Sequence, residues 1–345
     1  SGEQRFQVEE YKRPEFEVTL KEASDALRYG RKARVEGEVK YYFGSPVPGA
    51  EVKYRITRAR FVPWYAWWWN WFYAPSGSSE VASGTARTDD DGKFFVEFTP
   101  QAEDGSYAQY PASFSVEAEA RDAGGRTITD SRSYHAGAKA YNFDITPDAG
   151  FFTSGKSAGF RVRLMNLNGV QMSGGGSYSV HRLEKAPDFA RSAGWGGRFG
   201  DNPSLERTFT SVPDGKKVES GSLDFSTAKA SGIKLKPLPC GVYRLRLKAK
   251  DPWGGESESA IILVSADPGG SNPALKLPPV TIFERASYQP GETARVLVGA
   301  SPLKGVRYAE ILAGNFILSK RTLRGGGVSV LSVKVGTAHR GGFAV

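Results

Sequence analysis

Cysteine is almost missing from this 345-residue chain: Cys240 stands alone, so no internal disulfide can form and stability has to come from packing. One thiol leaves the compartment open, because large β domains live in oxidising spaces without bridges. Histidine is nearly as scarce, with His135, His181 and His339 far apart, and no Cys or His pair has the spacing of a structural zinc site. No apolar run approaches roughly 18 residues, so no segment reads as a helical membrane span. The opening "SGEQRFQVEEYKRPEF" is polar, without the charged-then-apolar layout of a signal segment, and Ser1 reads as an artificial boundary.

A dominant charge block is also lacking. The formal charge is +9, from 46 Lys and Arg against 37 Asp and Glu, but the charges are dispersed. That permits long-range attraction to acidic partners, whereas no run of basic residues interleaved with aromatics marks a nucleic-acid surface, and nucleic acid is not an expected partner. Long amphipathic helices are missing too. The best helical stretch, "APDFARSAG", is interrupted by Gly and has no coherent face. What is abundant is turn chemistry, with 41 Gly and 20 Pro.

Between the turns, apolar residues alternate with polar ones in "ARVEGEVKYYF", "AEVKYRITRARF", "KFFVEFTP", "SFSVEAEA", "GFRVRLMN" and "AIILVSA". A period of two places apolar side chains on one face, as in half-buried antiparallel strands. Two signatures then repeat at domain length. "RYGRKARVEGEV", "FTSGKSAGFRVRL" and "YQPGETARVLVGA" each carry a leading glycine, Gly30, Gly155 and Gly291, at separations of 125 and 136 residues. "FSVEAEARDAGGR" from Phe114 and "YRLRLKAKDPWGGE" from Tyr243 each begin an alternating strand on an aromatic and end on a Gly-Gly turn, 129 residues apart. The expectation is an all-β chain of tandem fibronectin-like or immunoglobulin-like antiparallel sandwiches. Residues 1–10 are a lead from a preceding domain, 11–137 a first sandwich with an aromatic insertion at 62–75, and 138–268 a second. Residues 269–345, after the linker "DPGGSNPALKLPP", are a third, incomplete one in which Phe343 stands where Phe114 and Tyr243 stand.

The segment "FQVEEYKRPEFEVTL" at 6–20 resembles the strand-linker-strand joint between consecutive macroglobulin domains of the α2-macroglobulin and complement family, in its bacterial form. "YYFGSPVPGAEVKYRI", "TARTDDDGKFFVEFTP" and "ASYQPGETARVLVGA" are similar to the domain cores of that branch. The resemblance implies a structural section of a broad-spectrum protease trap, not an enzyme. It implies target proteases and neighbouring macroglobulin domains as partners of the intact protein, together with a penicillin-binding protein or other envelope protein. It further implies a periplasmic place, with a lipid anchor outside these residues, or secretion. Members that link covalently to proteases carry a Cys-x-Glu-Gln thioester; Cys240 is followed by Gly241, Val242 and Tyr243, which does not match. Cys240 therefore reads as a small buried hydrophobe.

No catalytic, cofactor or metal residues are expected. "TDDDGKFF" lacks the later bidentate Glu of a calcium loop and reads as an Asp-Gly hairpin. "SGGGS" at 173–177 and "WGGRFG" at 195–200 have no following Gly-Lys-Ser/Thr, so they read as flexible connections rather than phosphate loops. The candidate contact residues are Trp64, Trp67, Trp68, Trp69 and Trp71, in the insertion "VPWYAWWWNWFY" between two strands of the first sandwich. They read as a plug on their own sheet, an interface anchor, or a surface for sugar or membrane. With the last reading, the chain is a tandem β module for adhesion or carbohydrate binding.

Overall fold

The computed structural model describes residues 16–23, 26–61, 77–103, 111–121, 127–185, 205–225, 230–269, 271–300, 306–323 and 327–345. These group into two compact units, one comprising residues up to Ala140 with Asn166–Val170, the other Tyr141–Met165 with Gln171–Val345.

The first unit contains β1 (Phe16–Leu20), β2 (Leu27–Arg28), β3 (Ala33–Tyr41), β4 (Glu51–Arg60), β5 (Ser79–Arg87), β6 (Lys93–Phe98), β7 (Ala112–Arg121) and β8 (Thr127–Gly137). A three-stranded sheet, β1-β3-β6, faces a five-stranded sheet, β2-β8-β7-β4-β5. The alternation in the sequence is the reason: Val35 and Val39 on β3, Val52 and Ile56 on β4, Phe94 and Val96 on β6, and Phe114 and Val116 on β7 all point into one core. Burying each such side chain is worth about 1.5–3 kcal/mol. Gly37 on β3 leaves room for the Phe94 ring, which a Cβ there would meet at 2.2 Å.

The second unit repeats this plan. Its first sandwich contains β9 (Tyr141–Pro147), β10 (Phe152–Thr153), β11 (Gly159–Asn166), β12 (Gly175–Leu183), the single helical turn α1 (Leu205–Phe209), β13 (Lys217–Asp224), β14 (Ser231–Lys234), β15 (Gly241–Lys250) and β16 (Glu256–Ala266). The sheets are β14-β11-β9 and β10-β16-β15-β12-β13. In both sandwiches a two-residue strand runs parallel to the last long strand, Leu27 against Ala136 and Phe152 against Ser265. After it come β17 (Ser271–Asn272), β18 (Val280–Phe283), β19 (Thr293–Ala300), β20 (Arg307–Ala313), β21 (Phe316–Leu323), β22 (Gly327–Lys334) and a 3-10 turn at Thr337–His339. They form the sheet β17-β22-β19-β18 and the pair β20-β21. Ala344 bridges Leu312 of β20, and Phe343 packs edge-on against Phe283. One apolar cluster, including Phe151, Val242, Val264, Leu275, Leu277 and Leu297, runs from the β15–β16 sheet through the 275–277 segment into the β19 sheet. That continuity holds the second unit together across residue 268.

The three leading glycines share one task. Gly30, Gly155 and Gly291 have φ of +71°, +74° and +98°, and their N–H groups donate to Pro100 O, Leu238 O and Val335 O, which follow β6, β14 and β22 in the chain. Only glycine adopts that left-handed backbone at little cost. A second repeated device joins the outer strands: Tyr54 of β4 lies over Gly84 of β5, and Tyr178 of β12 over Gly221 of β13.

Two local expectations are corrected. Asp89–Gly92 forms a turn, with Asp89 Oδ1 accepting from the N–H groups of Asp91 (3.0 Å) and Lys93 (2.9 Å). It is not a hairpin, because β5 pairs with β4 and β6 with β3; the turn carries the chain from one sheet to the other, placing Phe94 and Val96 in the opposite wall of the core. In "SGGGS", Gly175, Gly176 and Ser177 are not a flexible connection but the start of β12, paired with β13 and β15. Gly176 is needed there, since a Cβ would sit 2.9 Å from Lys248 O and 3.4 Å from the Phe225 ring. "APDFARSAG" and "WGGRFG" lie outside the described residues.

Candidate functional site

Trp64, Trp67, Trp68, Trp69 and Trp71 lie outside the described residues, but the stem that carries their loop is within them. Where β4 ends, Arg60 donates through Nε and Nη2 to the two carboxylate oxygens of Glu103, each at 3.0 Å. That bond, against weak desolvation, holds the Glu103 carboxyl below its ordinary range. Phe61 stacks flat on His135 of β8 with ring centroids 3.6 Å apart. Burial lowers the His135 pKa, and its Nδ1 is buried without a hydrogen-bond partner. Burial also pushes the neighbouring Tyr29 hydroxyl up to about 12, against the opposing charge of Arg58. The stem thus carries an ion pair and an aromatic stack.

Cys240, at the mouth of β15, is half-buried at the edge of the apolar cluster in the second unit. Its Sγ lies 3.4 Å from Asn272 Oδ1, and burial followed by the charge of Asp267 raises its pKa. A raised pKa withholds the thiolate that nucleophilic chemistry needs. Asn272 is buried and bonds Asp267 both ways, accepting from its N–H at 2.7 Å and donating to its carbonyl at 3.0 Å. Sequence reading missed Asn272, whose only signal is its place in a Pro- and Gly-rich linker.

Arg244 was equally hidden in the alternating "YRLRLKAK", which suggests a solvated basic face. Instead Arg244 is 5% exposed, donating to Val212 O at 2.9 Å, Phe209 O at 2.5 Å and Asp214 at 2.5 Å. Arg246 grips the same Asp214 and also Glu258. Burial disfavours the Asp214 carboxylate, yet the bonds from Arg246 and Arg244 prevail and hold its pKa below the ordinary value. The histidines do not meet: His181 contacts Ser179 Oγ at 3.1 Å, and His339 Nδ1 accepts from Gly336 N. Among the described residues no three His, Cys, Asp or Glu side chains gather as a metal site. The chemistry this arrangement supports is holding, by buried apolar contact and satisfied polar locks.

No protein-family model matches the chain. Among curated proteins it is similar to an alpha-2-macroglobulin homologue of Nostoc sp., 23% identical over 318 residues, covering 86% of this chain and 15% of that protein. It is also similar to the alpha-2-macroglobulin of Thermotoga maritima, 30% identical over 172 residues, covering 49% of this chain and 10% of that one. Both of these similar proteins are named as bacterial alpha-2-macroglobulins or their homologues. The chain spans a small part of the length of these alpha-2-macroglobulin relatives. Among solved structures, native E. coli alpha-2-macroglobulin aligns with a TM-score of 0.35 and 16% identity, over 96% of this chain and 21% of that one. Salmonella alpha-2-macroglobulin reacted with methylamine aligns with a TM-score of 0.35 and 16% identity, over 95% and 21%.

Proposed function

We propose that this chain is a structural scaffold section of a protease trap of the alpha-2-macroglobulin type, working in the bacterial envelope. The observation that carries this reading is similarity along 86% of the chain to a protein named as an alpha-2-macroglobulin homologue. Serial sandwiches of one topology, with an apolar cluster running through the second unit, suit a part that transmits position rather than performs chemistry. Cys240 lacks the Gln of a thioester, so covalent capture falls to other parts of the full protein, if it occurs. Target proteases are the partners of the intact trap, and its place is the periplasm, anchored by lipid attached elsewhere, or outside the cell. The chain itself is not an enzyme.

The test compares this chain with the longer protein that contains it. The isolated chain should neither hydrolyse peptides nor form a reduction-resistant conjugate with trypsin, while the longer protein should shield trypsin from large substrates. A Cys240-dependent conjugate, or a longer protein that leaves trypsin fully active on large substrates, overturns the reading.

A further inference from the structure

We infer that the second unit carries a binding site for a small phosphate-type oxyanion, in the cleft between the end of β12 and the 274–276 segment. This goes beyond the scaffold role and does not depend on it. The cleft encloses about 370 Å³, within the size range of small-ligand sites. Arg182, Lys185, Lys216 and Lys276 line it, with Glu184 as the one acid among its lining residues. Three segments distant in sequence therefore deliver cations to one concavity, with Phe209 and Val242 as an apolar wall beside them.

Several other cations of this unit are compensated. Arg244 and Arg246 pair with Asp214, Lys248 with Glu256, Arg285 with Glu292, and Arg295 with Glu284. Among the described residues Lys185 and Lys216 have no ion pair, and Lys276 Nζ reaches only Pro273 O at 3.5 Å. Arg182 is anchored: its backbone N–H donates to Lys216 O at 2.9 Å and its Nη2 to Cys240 O at 3.3 Å. The first sandwich supplies the contrast. Arg58 sits opposite Phe114 as Arg182 sits opposite Tyr243, but Arg58 has the carboxylate of Glu103 in its field, where Arg182 has three lysines around its cleft. Like charges lining one concavity reinforce a positive potential there, even though Lys185, Lys216 and Lys276 are exposed. A planar guanidinium with mobile ammonium groups matches the tetrahedral oxygens of phosphate. The concavity favours a free phosphorylated molecule over a flat lipid surface.

Inorganic pyrophosphate titrated into the 345-residue chain at fixed ionic strength, followed by calorimetry, is the test. Saturable binding is expected. Lys185→Glu with Lys216→Glu should weaken it at least about tenfold, since each removes a charge-assisted contact. Lys234→Glu with Lys236→Glu, exposed on and just after β14, changes the net charge equally and should leave binding within about twofold. Unchanged melting confirms that each variant is folded; should Lys185→Glu with Lys216→Glu unfold, Lys216→Gln alone replaces it and should weaken binding measurably. Equal losses in both pairs, no saturable binding, or binding only to vesicles containing phosphatidic acid overturns the site.

Discussion

The sheets β2-β8-β7-β4-β5 and β10-β16-β15-β12-β13 have the same strand order and differ in what covers their outer face. On β7 the outward residues next to Phe114 are Ser115, Glu117 and Glu119, polar groups with water access. On β15 the outward residues next to Tyr243 are Arg244, Arg246 and Lys248, and the first of these is buried under the 205–214 segment that separates β12 from β13. The core pattern is shared, so the fold tolerates either solution. An added layer converts a solvated face into a polar lock, and the lock then depends on every bond being made.

The largest expected effect breaks that lock. Arg244→Ala strands the carbonyls of Phe209 and Val212 and half of the Asp214 pairing, and should destabilise the second unit by about 3–5 kcal/mol, the range for removing one partner of a buried ion pair. Ser115→Ala, at the matching place on β7, should stay within about 0.5 kcal/mol. Urea midpoints of the two variants check the contrast, and similar shifts would show that the covering layer contributes nothing.

Next come the turns. Gly30 and Gly92 both have positive φ, but a Cβ at Gly30 meets nothing within 4 Å, whereas one at Gly92 would lie 2.5 Å from Val39 O. Gly30→Ala should cost about 1–2 kcal/mol for the left-handed backbone alone. Gly92→Ala should cost clearly more, because backbone has to move as well, and thermal melting of the pair measures the difference. A smaller effect separates the two aromatics. Tyr243 donates its hydroxyl to Pro239 O at 2.8 Å, a lock that Phe114 cannot make. Tyr243→Phe should lose about 1 kcal/mol, read from its urea midpoint against the parent chain.

The strands and the repeated glycines were legible because alternation and positive-φ turns are local properties. Asp89, Asn166 and Asp251 each begin a turn in which the side chain accepts from the N–H groups two and four residues on, with Gly92, Gly169 and Gly254 as the left-handed residue. Such pairs show in sequence as Asx followed three residues later by Gly. What the turn connects was not legible, and Asp89–Gly92 joins two sheets rather than making a hairpin. Arg244 and Asp214 escaped for the same reason: they lie 30 residues apart, and only the covering segment turns an exposed-looking arginine into a buried one. The charged cleft likewise needs Lys185, Lys216 and Lys276 brought together by the fold.

The smallest effect distinguishes the two units by acid. His135 has a folded pKa below its unfolded value of about 6.5, because burial against Phe61 disfavours the cation. The unfolded chain therefore takes up a proton first as pH falls, so the stability tied to neutral His135 is complete above about pH 6.5 and declines below it. Asp214 also has a depressed folded pKa, but its unfolded reference is about 3.9, so its contribution persists through mildly acid conditions and is lost only as pH falls below that value toward the folded pKa. The first unit should soften as pH falls below about 6.5 toward the folded pKa of His135, while the second holds. Hydrogen exchange followed separately on β8 and β15 as pH is lowered from neutral reads this directly. His135→Phe should remove the difference, and an unaltered pH response in that variant would place its origin in another group of the first unit.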